Sequence, residues 1–127
     1  MRFLIIVFVF IITLYADDHE YHSKHHIYKE LSHLELSKEQ HNQVKKILKV
    51  YRKELKEYKE LREELEEKRK DVFLQENFDT QKLDSINMQL DLKAHNIENR
   101  FLQKMHIVLT PQQRKKFVHY FDDWEVE

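Results

Sequence analysis

The 127-residue chain is long enough for one domain, and it contains no glycine, no cysteine and a single proline. This composition excludes phosphate-binding loops and dinucleotide-binding turns, which require glycine, together with disulfides, thiolate metal sites and cysteine nucleophiles. The formal net charge of −1 gives no bulk attraction to nucleic acid or an anionic membrane, so any binding surface must come from local segregation of charge. The 35% of charged residues, mostly lysine and glutamate, favour an all-helical protein.

Residues 1–16 have the features of a secretory signal peptide. Arg2 precedes an apolar run over residues 3–12, and the small residue Ala16 comes directly before Asp17. The run is shorter than the roughly 20 apolar residues that a membrane-spanning helix requires, although an uncleaved anchor is the alternative. We expect cleavage after Ala16, export to a bacterial periplasm and no membrane span after processing.

Residues 17–26 are predicted to form a flexible segment, which is rich in histidine and contains four candidate metal ligands: His19, His22, His25 and His26. Cleavage after Ala16 would place His19 third behind a free amine. The amine, two deprotonated backbone nitrogens and the imidazole could then form a square-planar site for Cu(II) or Ni(II). If the segment is helical, His22 and His26 share a face and could bind zinc. The alternative is a solvated tail that binds metal adventitiously, and no cofactor is required.

The remaining residues, 27–127, are predicted to form one helical domain, which begins with a short helix over residues 27–34. Ser37 and Gln40 then form a capping box, because the serine hydroxyl can accept from the Gln40 backbone N–H while the glutamine side chain accepts from the Ser37 N–H. A single long helix follows to about Phe73. Its apolar seam repeats every seven residues: Val44, Tyr51, Tyr58, Leu65 and Val72.

A second long helix is predicted after a break near residues 75–78, with Asp79 or Thr80 as its cap. Its apolar stripe runs from Leu83 to Val108 with the same period as the first helix. The two long helices are therefore expected to pack as an antiparallel hairpin.

A second capping box, at Thr110 and Gln113, begins a short C-terminal helix that extends to about residue 122. Its aromatic residues are predicted to share one side: Phe117, Phe121 and Trp124. Four helices of this kind enclose little volume, so we expect a homodimer in which long or terminal helices cross.

The two capping boxes lie in similar pentads, LSKEQ at residues 36–40 and LTPQQ at residues 109–113. The pentads resemble the paired L-T-x-x-Q motifs of the Spy/CpxP family. The second is a full match, and the first has serine in place of threonine. With the leader and the hairpin, the resemblance covers essentially the whole mature chain. The positions that carry it are Leu36, Ser37, Gln40, Leu109, Thr110 and Gln113.

The resemblance implies a cradle-like dimer of four-helix subunits and an ATP-independent periplasmic chaperone of the envelope stress response. Other members bind or sense heavy metals, so a metal-resistance or sensor protein using the histidine-rich N-terminus is the alternative. The metal-sensing branch places a histidine and a methionine four residues apart before the second motif, whereas here His95 is followed four residues later by Asn99. The expected partners are unfolded or misfolded envelope proteins, a second copy of the chain and a sensor kinase, with no nucleic acid.

A basic block occupies the first half of the long helix: Lys45, Lys46, Lys49, Arg52, Lys53 and Lys56. Glutamates reverse the sign of the charge from residue 60 onward. The block is a candidate client-binding surface that attracts acidic stretches of unfolded proteins and holds them through adjoining apolar residues. The alternative is a solvated face with i, i+4 ion pairs, each worth about 0.3–0.5 kcal/mol. The candidate pairs are Lys53 with Glu57, Lys56 with Glu60, and Glu64 with Lys68.

No catalytic residues are expected. Ser37 and Thr110 are explained by their capping roles, and no base with an orienting acid can be identified beside either of them. The chain is therefore predicted not to be an enzyme.

Overall fold

The computed structural model describes residues 31–126, and the chain divides into two units after Glu35. The described part of the first unit, residues 31–35, contains the end of a helix at residues 31–32 and the turn that follows it. In this turn the Leu34 N–H donates to the Leu31 carbonyl at 3.1 Å. Glu35 has a φ of 51°, a left-handed conformation that glycine usually adopts, at a cost of about 1 kcal/mol for other residues. The predicted signal peptide, the histidine-rich segment and the first half of the predicted first helix, residues 27–30, lie outside the described residues.

The second unit is built from helices. Helix α1 spans Lys38–Leu74, α2 spans Thr80–Val108, and α3 spans Pro111–Phe117 and continues as a 3-10 helix over Val118–Trp124. Residues 31–126 contain no strand, so the all-α prediction is confirmed for this part of the chain. Asp79 caps α2 by accepting from the Lys82 N–H at 3.0 Å. No helix among the described residues combines the length and apolar character needed to cross a bilayer.

Helices α1 and α2 form the predicted antiparallel hairpin. Near its open end the Gln40 side chain bonds the Val108 carbonyl, and farther along Glu54 pairs with Arg100. Because the partner's residue number falls as the α1 number rises, the two helices run in opposite directions. The apolar faces predicted from the seven-residue period are therefore the faces along which α1 and α2 pack.

The core of the hairpin has two parts. Near the α1–α2 loop, Leu65, Val72 and Ile86 form a buried cluster, against which further leucines pack: Leu61, Leu83 and Leu90. Toward the open end the core is aromatic, with four buried rings: Tyr51, Phe101, Phe117 and Trp124. Both parts need residues from α1 and α2, so neither long helix buries its seam alone.

The C-terminal helix differs from its prediction. It is α-helical only to Phe117, and Tyr120 has non-helical angles of φ −112° and ψ 17°. The tighter 3-10 turn and this kink change the spacing of the side chains. Phe117 and Trp124 are buried, whereas Phe121 is 45% exposed. The prediction that all three aromatic residues share one side is therefore wrong for Phe121.

Candidate functional site

The first capping box forms at the start of α1 as the sequence predicts. The Ser37 hydroxyl accepts from the Gln40 N–H at 3.2 Å, and Gln40 Oε1 accepts from the Ser37 N–H at 3.0 Å. Both bonds use amide groups that have no partner within the helix. Leu36, which precedes the box, is half-buried.

The second capping box forms in the same way at the start of α3. Thr110 Oγ1 accepts from the Gln113 N–H at 3.3 Å, and Gln113 Oε1 accepts from the Thr110 N–H at 2.9 Å. Pro111 occupies the first helical position, where a missing N–H has no consequence. Leu109 is buried in front of the box. The predicted motif residues therefore cap the helices or lie directly beside the caps.

The glutamines of the two boxes bond to each other. Gln40 Nε2 donates to Gln113 Oε1 at 2.8 Å, and Gln113 Nε2 donates to Gln40 Oε1 at 3.1 Å. Gln40 Nε2 also donates to the Val108 carbonyl at 2.9 Å. With the bond from Ser37, the Gln40 amide uses both of its donors and both of its acceptor positions. This amide pair ties the start of α1 to the corner between α2 and α3.

Arg114 braces the same corner, a role that the sequence analysis did not identify. Its Nε and Nη2 atoms donate to the His106 carbonyl at 3.0 and 2.8 Å. His106 lies in the last turn of α2, where carbonyls lack an intrahelical partner. The open end of the hairpin is therefore held by a connected set of polar contacts as well as by the aromatic core.

The basic block lies on α1, directly after this braced end. Its five lysines are exposed, and Arg52 is half-buried. None of the five lysines is within 4.0 Å of a carboxylate among the described residues. The acidic residues closest to these lysines, Glu54 within the block and Glu57 directly after it, pair with residues of α2 instead. Glu54 bonds Arg100 at 2.8 Å, and Glu57 lies 3.7 Å from Lys93. The positive charges of these five lysines are therefore not paired with any described carboxylate.

The expected ion pairs along α1 form only in its second half. Lys68 pairs with Glu64 at 2.9 Å, as predicted. The predicted pairs of Lys53 with Glu57 and of Lys56 with Glu60 do not form. Glu57 pairs instead with Lys93 of α2. A solvated face held by i, i+4 pairs thus describes the end of α1 but not the basic block.

Apolar side chains accompany the charged ones on the surface of the hairpin. Beside the basic block, Val50 is 41% exposed and Tyr58 is half-buried. At the α1–α2 loop, Phe73 and Leu74 are each 78% exposed and line a groove with Phe78. Exposed apolar surface of this kind marks interaction sites more often than isolated surface residues do. The exposed apolar residues at the α1–α2 loop were not predicted from the sequence as a binding site.

The aromatic core binds the C-terminal segment to α1. The Trp124 ring centroid lies 4.6 Å from that of Phe101 and 6.0 Å from that of Tyr51. The Tyr51 hydroxyl donates to the Trp124 carbonyl at 3.2 Å. Tyr51 is buried, as its place on the predicted apolar seam implies, and so are Phe117 and Trp124. These contacts attach the C-terminal segment to α1 directly before Arg52 and Lys53.

Tyr51 gives the domain a specific response to alkaline pH. Burial, together with the negative charge of Glu98, raises the pKa of Tyr51 from 10 to about 12. The unfolded chain therefore releases the phenol proton first, and stability that is present below pH 10 is lost as the pH rises from 10 to 12. Tyr51→Phe should lower the free energy of unfolding at pH 7 by about 0.5–1.5 kcal/mol, through loss of the bond to Trp124.

Urea unfolding at a series of pH values measures both effects. Between pH 10 and 12 the wild-type protein should lose stability through ionisation of Tyr51, and Tyr51→Phe should lack this contribution. Tyr58→Phe, seven residues away, serves as the control and should keep that loss. A Tyr51→Phe profile parallel to the wild-type profile between pH 10 and 12 would contradict this assignment.

The predicted metal ligands His19, His22, His25 and His26 lie outside the described residues. Within residues 31–126, no group of three or more histidine, aspartate or glutamate side chains is arranged to hold a metal ion. The metal-binding hypothesis therefore rests on the histidine-rich segment alone.

A comparison with protein families places the chain beside a known family. The model described as "LTXXQ motif family protein" matches residues 22–120, which include both capping boxes and both long helices. No curated protein matches the chain, and no solved structure matches it.

Proposed function

The chain belongs to the LTXXQ motif family, and we propose that it is an ATP-independent periplasmic chaperone that binds unfolded envelope proteins and catalyses no reaction. The observation that carries the proposal is the basic block on α1, whose five lysines are exposed and pair with no described carboxylate. In this proposal the chaperone acts as a homodimer, because a two-helix hairpin leaves much apolar surface uncovered.

Charge brings the client to the hairpin. Unfolded chains expose acidic stretches whose charges, in the folded protein, form ion pairs or are solvated at fixed positions. A dense patch of cations accelerates their encounter and orients them along α1. Because all five lysines are exposed, this attraction weakens as salt is added. Capture by charge alone is therefore fast and reversible.

Apolar contacts then hold the client. Val50 and Tyr58 adjoin the block, and Phe73, Leu74 and Phe78 lie at the far end of the hairpin. The distance along α1 from Val50 to Phe73 is about 35 Å, which an extended client segment of about ten residues can span. Several weak contacts of this kind can exchange one by one, so release requires no nucleotide.

The amide pair and the aromatic core serve this function by holding α1 straight at the block. Gln40 fixes the start of α1, and Tyr51 fixes its backbone beside Arg52. A rigid helix presents its lysines at constant spacing, so little ordering entropy is lost when a client binds.

Charge reversal within the block tests the proposal. The variant Lys45→Glu/Lys49→Glu/Lys53→Glu should need about tenfold more protein to suppress aggregation of a denatured client, if each lost ion pair contributes up to about 0.5 kcal/mol. Light scattering of the client, measured at several salt concentrations, gives the suppression and its salt dependence. Both should fall in the variant.

The matched control is Lys68→Glu/Lys70→Glu/Lys82→Glu, which changes the net charge equally but lies outside the block. This control should suppress aggregation as the wild type does. Equal losses in the two triple variants would show that only net charge matters, and unchanged activity in the first would refute the block as the client site.

A further inference from the structure

Basic, acidic and apolar residues follow one another in order along the outer face of α1. Successive members are three, four or seven residues apart, so they share one face of the helix, within a sector of about 80°. All of them are exposed, whereas Tyr51, Leu65 and Val72 on the opposite face are buried. This outer stripe consists of Lys45, Lys49, Lys53, Lys56, Glu60, Glu63, Glu67 and Leu74.

Like charges are grouped on the outer stripe and do not alternate. Lys49 and Lys53 are four residues apart, as are Glu63 and Glu67, and like charges at this spacing destabilise a helix. A face that is only solvated would gain stability from pairs of opposite charge, which the second half of α1 forms elsewhere. The grouping is therefore better explained by a ligand of complementary charge than by the stability of the helix.

Most charges of the stripe have no partner among the described residues. Glu67 is paired with Lys70 at 2.7 Å. Glu60 and Glu63 form no ion pair with any described residue, and the same holds for the four lysines. The stripe therefore presents positive charge over residues 45–56 and negative charge from residue 60 to residue 67.

The acidic part lies between the two surfaces to which a client is proposed to bind. One is the basic block, and the other is the apolar surface near the α1–α2 loop, where Leu74 ends the stripe and is 78% exposed. A client that reaches both along the stripe must pass over Glu60, Glu63 and Glu67. Acidic client residues are repelled there and basic ones are attracted, so a wholly acidic segment does not fit the stripe.

The dimensions of the stripe set the length of each part of the client. From Lys45 to Leu74 the helix rises about 44 Å, which an extended chain of about thirteen residues covers. The basic part is about 17 Å long and the acidic part about 11 Å, which match about five and about three client residues. Leu74 lies about 11 Å beyond Glu67, or about three further residues.

We propose that the outer stripe selects unfolded segments by the order of their side chains: an acidic stretch, then a basic stretch, then a large apolar residue. This inference rests on the proposed function and names its substrate class. The contacts involve side chains and no backbone pairing. The segment therefore binds in either chain direction, with its acidic end toward the open end of the hairpin.

Three unfolded peptides of one composition test the selection. The ordered peptide carries aspartates, then lysines, then leucines, over about thirteen residues. The mixed peptide alternates aspartate with lysine, and the displaced peptide has its leucines at the acidic end. Fluorescence anisotropy of the labelled peptides in low-salt buffer measures their affinity for the wild-type protein.

The ordered peptide should bind about tenfold more tightly than the mixed one, which sets about half of its charges against like charges. It should also bind more tightly than the displaced peptide, and its reversed sequence should bind as well as it does. The preference for the ordered over the mixed peptide should disappear in high salt. Equal affinity of the ordered peptide and either of the other two in low salt would overturn the proposal.

Charge reversal of the acidic part should change the selectivity in a defined direction. The variant Glu60→Lys/Glu63→Lys/Glu67→Lys makes every charge of the stripe positive. It should bind a wholly acidic peptide about tenfold more tightly than the wild type does, and it should lose the preference for the ordered peptide. An unchanged preference in this variant would contradict the role of the three glutamates.

The matched control is Glu66→Lys/Asp84→Lys/Asp91→Lys, which changes the net charge equally at exposed positions outside the stripe. This control should keep the preference for the ordered peptide. Circular dichroism verifies that both variants are as helical as the wild type. Loss of the preference in both would show that only net charge matters and would overturn the proposal.

The client assay described above separates this inference from the proposed function. If Lys45→Glu/Lys49→Glu/Lys53→Glu loses suppression of aggregation but the wild type binds all peptides equally, client capture stands and the charge order is overturned. If that variant suppresses aggregation as the wild type does while the peptide preference is observed, the basic block is refuted as the client site in the chaperone function and the peptide selectivity stands.

Discussion

Gln40→Glu is expected to destabilise the domain by about 2–4 kcal/mol at neutral pH. The carboxylate can still accept from the Ser37 N–H and from Gln113 Nε2, so the capping box itself survives. It cannot donate, however, and one of its oxygens would face the Val108 carbonyl and Gln113 Oε1. Two hydrogen bonds are lost, and partly buried oxygens are brought together, which costs more than removal of a bond alone.

Urea unfolding followed by circular dichroism measures the Gln40→Glu effect, with Gln43→Glu as the control. Gln43 is exposed in the next turn of α1, so the control adds the same charge near the same helix end and should stay within about 0.5 kcal/mol of the wild type. Lowering the pH should restore part of the lost stability, because the protonated carboxyl can donate again. Equal stability of the two variants would show that the amide pair contributes nothing.

The capping boxes could be predicted from the sequence because they are local. Ser37 and Gln40 are three residues apart, and the helical backbone alone brings them together. The bond between Gln40 and Gln113 spans 73 residues, and nothing in the spacing within either motif indicates it. The available signal was the recurrence of glutamine at the same offset in both motifs. A cap needs only one acceptor, so a glutamine with two unused donors suggests a further partner.

The buried and exposed faces of α1 could be predicted from the sequence, but the ion-pair partners of its charged residues could not. The period of seven in α1 correctly identifies the buried Val44, Tyr51 and Leu65. It does not determine whether Glu57 turns back to Lys53 or across to Lys93, because this depends on the register of α2. Periodicity defines faces, whereas ion pairs depend on the neighbouring helix.

In the C-terminal segment the local sequence pattern gave the wrong prediction, because a tertiary contact determines the conformation. An α-helix continued from Pro111 would keep Phe117, Phe121 and Trp124 near one face. The chain instead tightens after Phe117 and buries Trp124 against Phe101, which leaves Phe121 exposed. A 3-10 turn has poorer hydrogen-bond geometry than an α-turn, so burial of the large indole ring decides the conformation.

Trp124→Ala is therefore expected to have the largest effect of any single substitution in this segment, about 3–5 kcal/mol. The side chain is 2% exposed and contacts three other rings: Tyr51, Phe101 and Phe117. Its removal leaves a cavity at the point where the C-terminal segment meets both long helices. Urea unfolding followed by circular dichroism measures the loss, since the variant no longer contains tryptophan.

Two further substitutions distinguish packing from hydrogen bonding at this position. Trp124 Nε1 is buried and has no hydrogen-bond partner among the described residues, so Trp124→Phe gives up ring volume but no hydrogen bond. It should cost clearly less than Trp124→Ala, while Phe121→Ala, at an exposed ring three residues earlier, should cost less than about 1 kcal/mol. If Phe121→Ala were as destabilising as Trp124→Ala, the aromatic core would not be what binds the C-terminal segment to α1.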